Sequence, residues 1–151
     1  MLRTRLSDTL KSSMKEKNER SVSTLRLILA ALKDRDIAAR SKGNQEGVSD
    51  DEVLGLLQSM IKQRRESIDL YEKGGRMELA QGEAEEISVI EGFLPKQMSE
   101  EEIATVITGV VDEVGAESLK DMGKVMTALK EQFAGQMDFG KASAIVKERL
   151  N

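Results

Sequence analysis

Apolar residues recur at intervals of three and four along almost the whole chain, and a single proline, Pro95, interrupts it. That spacing is the period of a helix with one buried stripe. A chain patterned this way, with no run of strict alternation, is restricted to helices packed on helices. Seven helical segments can be read. The first covers about 2–16, with Leu2, Leu6, Leu10 and Met14 one repeat apart. The second covers about 19–40, with Asn18 as its N-cap and Val22, Leu25, Ile28, Leu29 and Leu32 on its stripe. A polar loop over Ser41–Gly47 follows. Ser49 and Glu52 have capping-box spacing and open a third helix that runs to Lys73. Gly74 and Gly75 break it, and a fourth helix is expected over 76–93, ended by Leu94–Pro95 because the residue before a proline avoids helical geometry. Ser99 and Glu102 open a fifth helix that stops at Gly115. The sixth spans about 119–134 and stops at Gly135, and the seventh covers 138–150. The expected fold is all-α: a four-helix bundle over 1–94, then a smaller three-helix bundle over 96–151.

Composition narrows the chemistry. Aromatic residues are 3% of the chain, so the core must be aliphatic, with eight methionines to fill gaps. There is no cysteine and no histidine. Thiol nucleophiles and zinc-thiolate sites are therefore impossible, and the side chain best suited to proton transfer near neutral pH is missing. Neither a metal site nor a cofactor is expected. No stretch approaches the roughly 20 apolar residues of a membrane span. The start, Met1 to Arg5, lacks the apolar run of a signal peptide, so a cytoplasmic location is expected. The net charge of −4 is unevenly placed. Residues 1–42 hold 11 basic and 5 acidic side chains, 43–95 hold 5 and 12, and 96–151 hold 7 and 10. Mutual attraction of segments within a bundle explains this asymmetry as readily as a surface for phosphates does.

One local signal is sharper. Arg64 falls in the centre of the stripe formed by Leu57, Ile61, Ile68 and Tyr71. On the next helix Ala80, Ala84 and Ile87 form a stripe, with Glu83 inside its border and Glu86 at its edge. A charge buried alone costs several kcal/mol, about 3–5 when one partner of a pair is removed. Arg64, Glu83 and Glu86 are therefore expected to meet as a structural ion cluster; the alternative is that Arg64 is presented to an anion. Read as metal ligands, Glu83, Glu85 and Glu86 lack the Glu-x-x-His partners of carboxylate metal bundles.

Catalytic constellations are missing. Ser12 and Lys15 have Ser-x-x-Lys spacing but sit on an exposed helix face, and Ser118 with Asp121 reads as a cap. No phosphate loop or dinucleotide fingerprint occurs. Asp121–Lys124 places a Gly and a Lys at a helix start, which suits either close helix packing or a phosphate contact.

Four stretches occur in a distinctive order: Arg20–Ile28 with Ala31 and Lys33; Ile61–Ser67 with Tyr71, Gly75–Arg76 and Leu79–Ala80; Glu83–Ile87 with Phe93–Ser99; and Asp121–Met126. In this order and spacing they resemble the GatB/YqeY family, specifically its stand-alone YqeY-like members. Phe93 stands where that family favours Tyr, a change conservative for packing. The resemblance covers essentially the whole chain. It implies a four-helix bundle joined to a three-helix bundle, and kinship with the C-terminal tail of the GatB component of the aspartyl/glutamyl-tRNA amidotransferase. That enzyme is a carbon–nitrogen ligase with glutamine as amido donor, and its tail helps hold the outer corner of the tRNA. Its catalytic domain has no counterpart here, so any amidotransferase activity of this chain would be as an accessory.

Two readings follow. In the first the chain is a non-catalytic, tRNA-associated binding module, with tRNA and a tRNA amidotransferase or aminoacyl-tRNA synthetase as partners. The candidate contacts are Lys120, Lys124, Lys141 and Lys147, in the part that resembles the tail. In the second it is a protein–protein adaptor without an RNA role, and Arg26, Lys33 and Arg40, seven residues apart, form a basic face for an acidic partner or for the chain's own acidic third helix.

Overall fold

A computed structural model describes residues 1–151. The chain is all-α and divides into two compact units, 1–94 and 95–151. The first is a four-helix bundle of α1 (Leu2–Lys15), α2 (Glu19–Ser41), α3 (Asp50–Lys73) and α4 (Met77–Glu91). The second is a three-helix bundle of α5 (Glu100–Val114), α6 (Met122–Gln132) and α7 (Phe139–Leu150). The sixth segment is not one helix, because Leu119–Asp121 forms a separate 3₁₀ turn before α6. No helix is long and apolar enough to cross a membrane.

The local signals explain the boundaries. Asn18 accepts the Ser21 amide at 3.2 Å and opens α2. Ser49 accepts the Glu52 amide at 3.2 Å and opens α3. Ser99 and Glu102 form a reciprocal capping box at the head of α5. Gly115 closes α5 with φ 67°, in the left-handed region where a side chain is strained. Helix α4, however, stops at Glu91, before the Leu94–Pro95 step. Arg5 donates to the Gly92 carbonyl at 3.2 Å and lies 5.4 Å over the Phe93 ring, while Phe93 turns into the core.

The first core is built from Leu6, Leu25, Ile28, Leu57 and Ile90, all fully buried. Met14 does not join it. It is 50% exposed, and the neighbouring Ser13 is buried instead. The turn after α1 is tight, with the Asn18 amide donating to the Ser13 carbonyl at 3.0 Å. Ala84 is also exposed, so the inward stripe of α4 is Ala80, Ile87 and Ile90.

A single arginine organises the loop between α2 and α3. Arg3 grips both Asp36 oxygens at 2.6 and 2.7 Å and donates to the Val48 carbonyl at 2.8 Å. Asp36 in turn accepts the Val48 amide at 2.9 Å. Gly47 lies against this pair with φ +90°; a Cβ there would fall 2.7 Å from Asp36 Oδ1.

The second core holds Ile107, Val125, Leu129, Met137 and Val146. The segment before α5 is tied to the α6–α7 loop. The Met98 backbone N–H donates to the Gln136 carbonyl at 2.8 Å, and the Gln97 side chain donates through Nε2 to the Gly135 carbonyl at 2.6 Å.

Candidate functional site

The charges of the α3 and α4 stripes lie between their helices. Arg64 Nε donates to Glu86 Oε2 at 2.8 Å, and Arg64 Nη1 donates to the Met60 carbonyl at 3.1 Å. The side chains of Arg64 and Glu86 are 12% and 16% exposed, so both charges are largely out of water. Glu83 makes no ion pair, in contrast to its expected place in the cluster. The third member is instead a second cation, Arg20 from the first turn of α2, which reaches Glu85 at 3.1 Å and Glu86 at 3.6 Å. Glu86 thus bridges arginines from two helices. Gly82 makes room for this, because a Cβ there would come 3.3 Å from Arg20 Nη2. With Glu86 answering both guanidiniums, the cluster has the character of a tie between α2, α3 and α4 rather than an open anion site.

Of the six lysines of the second unit, the four candidates Lys120, Lys124, Lys141 and Lys147 are all exposed and form no ion pair. Lys120 lies in the 3₁₀ turn, and Lys124 is in the first turn of α6. The α6 start carries no acidic side chain in its first turn. Asp121, just before it, is turned away to accept the Glu117 amide at 2.9 Å and the Ser118 amide at 3.4 Å. Those two N–H groups, and secondarily the Lys124 charge, hold the Asp121 carboxyl below its usual range. Lys141 occupies the first turn of α7, where Asp138 caps the Gly140 and Lys141 amides. Lys147 is in the last turn of α7, about 120° around the helix from Lys141. Beside Lys124 is a shallow groove of about 480 Å³, lined by Val114, Gly123, Thr127, Ala128 and Glu131. Gly123 lies against open space, so close helix packing does not account for it.

In the first unit Arg26, Lys33 and Arg40 are exposed along one edge of α2, without ion pairs. They contrast with Arg3, Arg20, Arg64, Arg65 and Arg76, each of which pairs with a carboxylate. Sequence reasoning missed Arg20 and the Arg3–Asp36 pair. Both link helices far apart in sequence, and no periodicity within one helix reports such a partner. The arrangement offers cations to a ligand and, in a chain without histidine or cysteine, no evident nucleophile–base pair.

Comparison with known proteins gives the kinship. An uncharacterized protein of Schizosaccharomyces pombe is 30% identical over 99 residues, covering 66% of this chain and 73% of the relative. The protein called altered inheritance of mitochondria protein 41, mitochondrial, from Eremothecium gossypii is 33% identical over 89 residues, 59% of this chain. That match spans only 46% of the relative's length. The protein of the same name from Pyrenophora tritici-repentis is 28% identical over 137 residues, covering 83% of this chain and 70% of the relative. Mitochondrial relatives overturn the expectation of a cytoplasmic location. Addresses are read by receptors from short signals, so the composition of a helical bundle carries no compartment. YqeY-like proteins as a family match residues 3–150, and the chain belongs to that family.

Proposed function

We propose that this chain is a non-catalytic binding module for tRNA, acting beside a tRNA amidotransferase or an aminoacyl-tRNA synthetase. The observation that carries the reading is that Lys120, Lys124, Lys141 and Lys147 are all exposed and free of ion pairs, three of them at helix starts or the turn before one. Lysine near a helix start suits phosphate oxygens, because the ammonium adds to the positive end of the helix. Kinship with the amidotransferase tail supports tRNA as the ligand. With aromatics at 3% there is little to stack bases on, so contact is with backbone and duplex shape.

The test is a titration of the full chain with total tRNA, with duplex DNA of matched charge as control, at two salt concentrations. Saturable binding to tRNA over DNA is expected, weakening by about 0.7–0.9 log units per phosphate contact for each log unit of salt. Charge reversal at Lys120 and Lys124 should weaken it most. Equal binding to tRNA and DNA, or none at low salt, refutes the reading.

A further inference from the structure

The outward side of α2 is built like a second interface. Leu27 and Ile37 are 50% and 52% exposed on a helix whose other face is already buried in the core. They lie about 15 Å apart along the axis and about 80° apart around it, with the exposed Ala30 between them. Arg26, Lys33 and Arg40 run along one border of this stripe, and Arg35 stands on the other. None of these four cations forms a salt bridge, although Arg40 is close enough to Asp36 to help lower its carboxyl; they outnumber the two anions of this face, Asp34 on the stripe and Glu19 at the groove. At its N-terminal end the stripe opens into a groove of about 460 Å³, where the half-exposed Met14 and Val22 supply apolar surface and Arg26 forms part of the wall.

One backbone feature supports a use for this groove. Lys17 also lines it, and Lys17 is the single non-glycine residue with positive φ, at 57°. A left-handed non-glycine residue costs about 1 kcal/mol. Glycine would satisfy the turn at lower cost, but it would remove a cation from the rim.

We infer that the outward face of α2 docks an aliphatic, acid-edged helix of a partner protein, with one apolar side chain seated in the groove beside Met14 and Val22. Charge complementarity selects this occupant. A second copy of this chain docked through the same face would set cations against cations. An RNA strand would leave Leu27 and Ile37 facing phosphates. A membrane would gain little from two aliphatic side chains separated by an alanine. An amphipathic helix with acidic borders covers the aliphatic stripe and answers the row of Arg26, Lys33 and Arg40 on one side and Arg35 on the other. The inference is independent of the lysines of the second unit, so the tRNA reading can fail without it.

The experiment places a photoreactive benzophenone side chain at position 27 of the full chain, and separately at 37, with irradiation in cells. The adducts are then sequenced. Adducts with a protein segment of helical apolar period and acidic borders are expected from both positions. Their yield should fall about tenfold in Arg26→Glu/Lys33→Glu, a variant whose exposed changes leave the helical content intact. The same yield should be unchanged in Lys124→Glu. Adducts with RNA, lipid, a second copy or a basic segment overturn the inference, as does the absence of any adduct or a yield indifferent to the charge reversal.

Discussion

Glu86 accepts from Arg64 at 2.8 Å while its other oxygen lies 3.6 Å from Arg20, so one carboxylate of α4 answers guanidiniums from two other helices. Removing one partner of a largely buried pair leaves the other uncompensated. Arg64→Ala is expected to lower stability by about 2–4 kcal/mol, below the fully buried limit because some exposure remains. Arg64→Met combined with Glu86→Leu should recover most of that loss, since no charge is then left stranded. Urea denaturation of the three proteins checks this; an unchanged midpoint for Arg64→Ala would show that the pair contributes nothing.

Acid should loosen the strap between α1, α2 and the loop. Hydrogen bonds from Arg3, chiefly, and from the Val48 amide hold the Asp36 carboxyl down at about 2. An unfolded aspartate titrates near 3.9, so the folded form binds the proton less readily. The stabilisation is therefore fully present above about pH 4 and is lost as pH falls towards 2. Allowing for partial solvent screening it amounts to about 1–2 kcal/mol. Asp36→Asn should be less stable than the parent at pH 7, and the difference should narrow by pH 2.5 in parallel urea titrations.

Thr24 is fully buried, and its hydroxyl has no hydrogen-bond partner. A valine of the same shape removes an unsatisfied polar group without opening a cavity. Thr24→Val should therefore be neutral or stabilising by up to about 1 kcal/mol, raising the melting temperature by a few degrees. A clear fall in melting temperature would mean that the hydroxyl is engaged after all.

Lys17→Gly should stabilise the first unit by about 0.5–1 kcal/mol, the left-handed strain outweighing the extra freedom of glycine in the unfolded chain. Thermal melts of the two proteins decide the sign. The same substitution is expected to reduce adduct yield at position 27, because a cation leaves the rim of the groove.

Much of the fold was legible in the order of residues. Caps at Asn18, Ser49 and Ser99 act over three positions, and the turn glycine at 115 answers to its own φ, so local chemistry decides them. The misreadings share a cause. Periodicity tells which side of a helix is apolar, but not where that side begins to meet a neighbour. Met14 and Ala84 keep the right period and still lie outside the contact. Leu119–Asp121 has the composition of a helix start, yet it winds as a separate turn around the Asp121 carboxylate. Arg64 could be read as paired because a charge inside an apolar stripe demands a partner. Arg20 lies at a helix start where exposure is ordinary, so its reach to α4 depended on a packing angle that no local pattern encodes. The lysines of the second unit and the basic edge of α2 were visible as charges; their freedom from partners became visible only with the fold.

The grip of Arg3 on Asp36 and Val48 spans 33 and 45 residues of chain, yet it governs a short surface loop. Loops of this kind commonly open by themselves, and their amides exchange with solvent quickly. Here the Val48 amide donates to a carboxylate that is itself held from the first turn of α1. Opening the loop at this point breaks the Arg3 bond to the Val48 carbonyl as well as the bond to Asp36. The exchange rate of this one loop proton thus reports on a contact made from the first turn of α1, and it should quicken when Arg3 is removed even though the loop itself is unchanged.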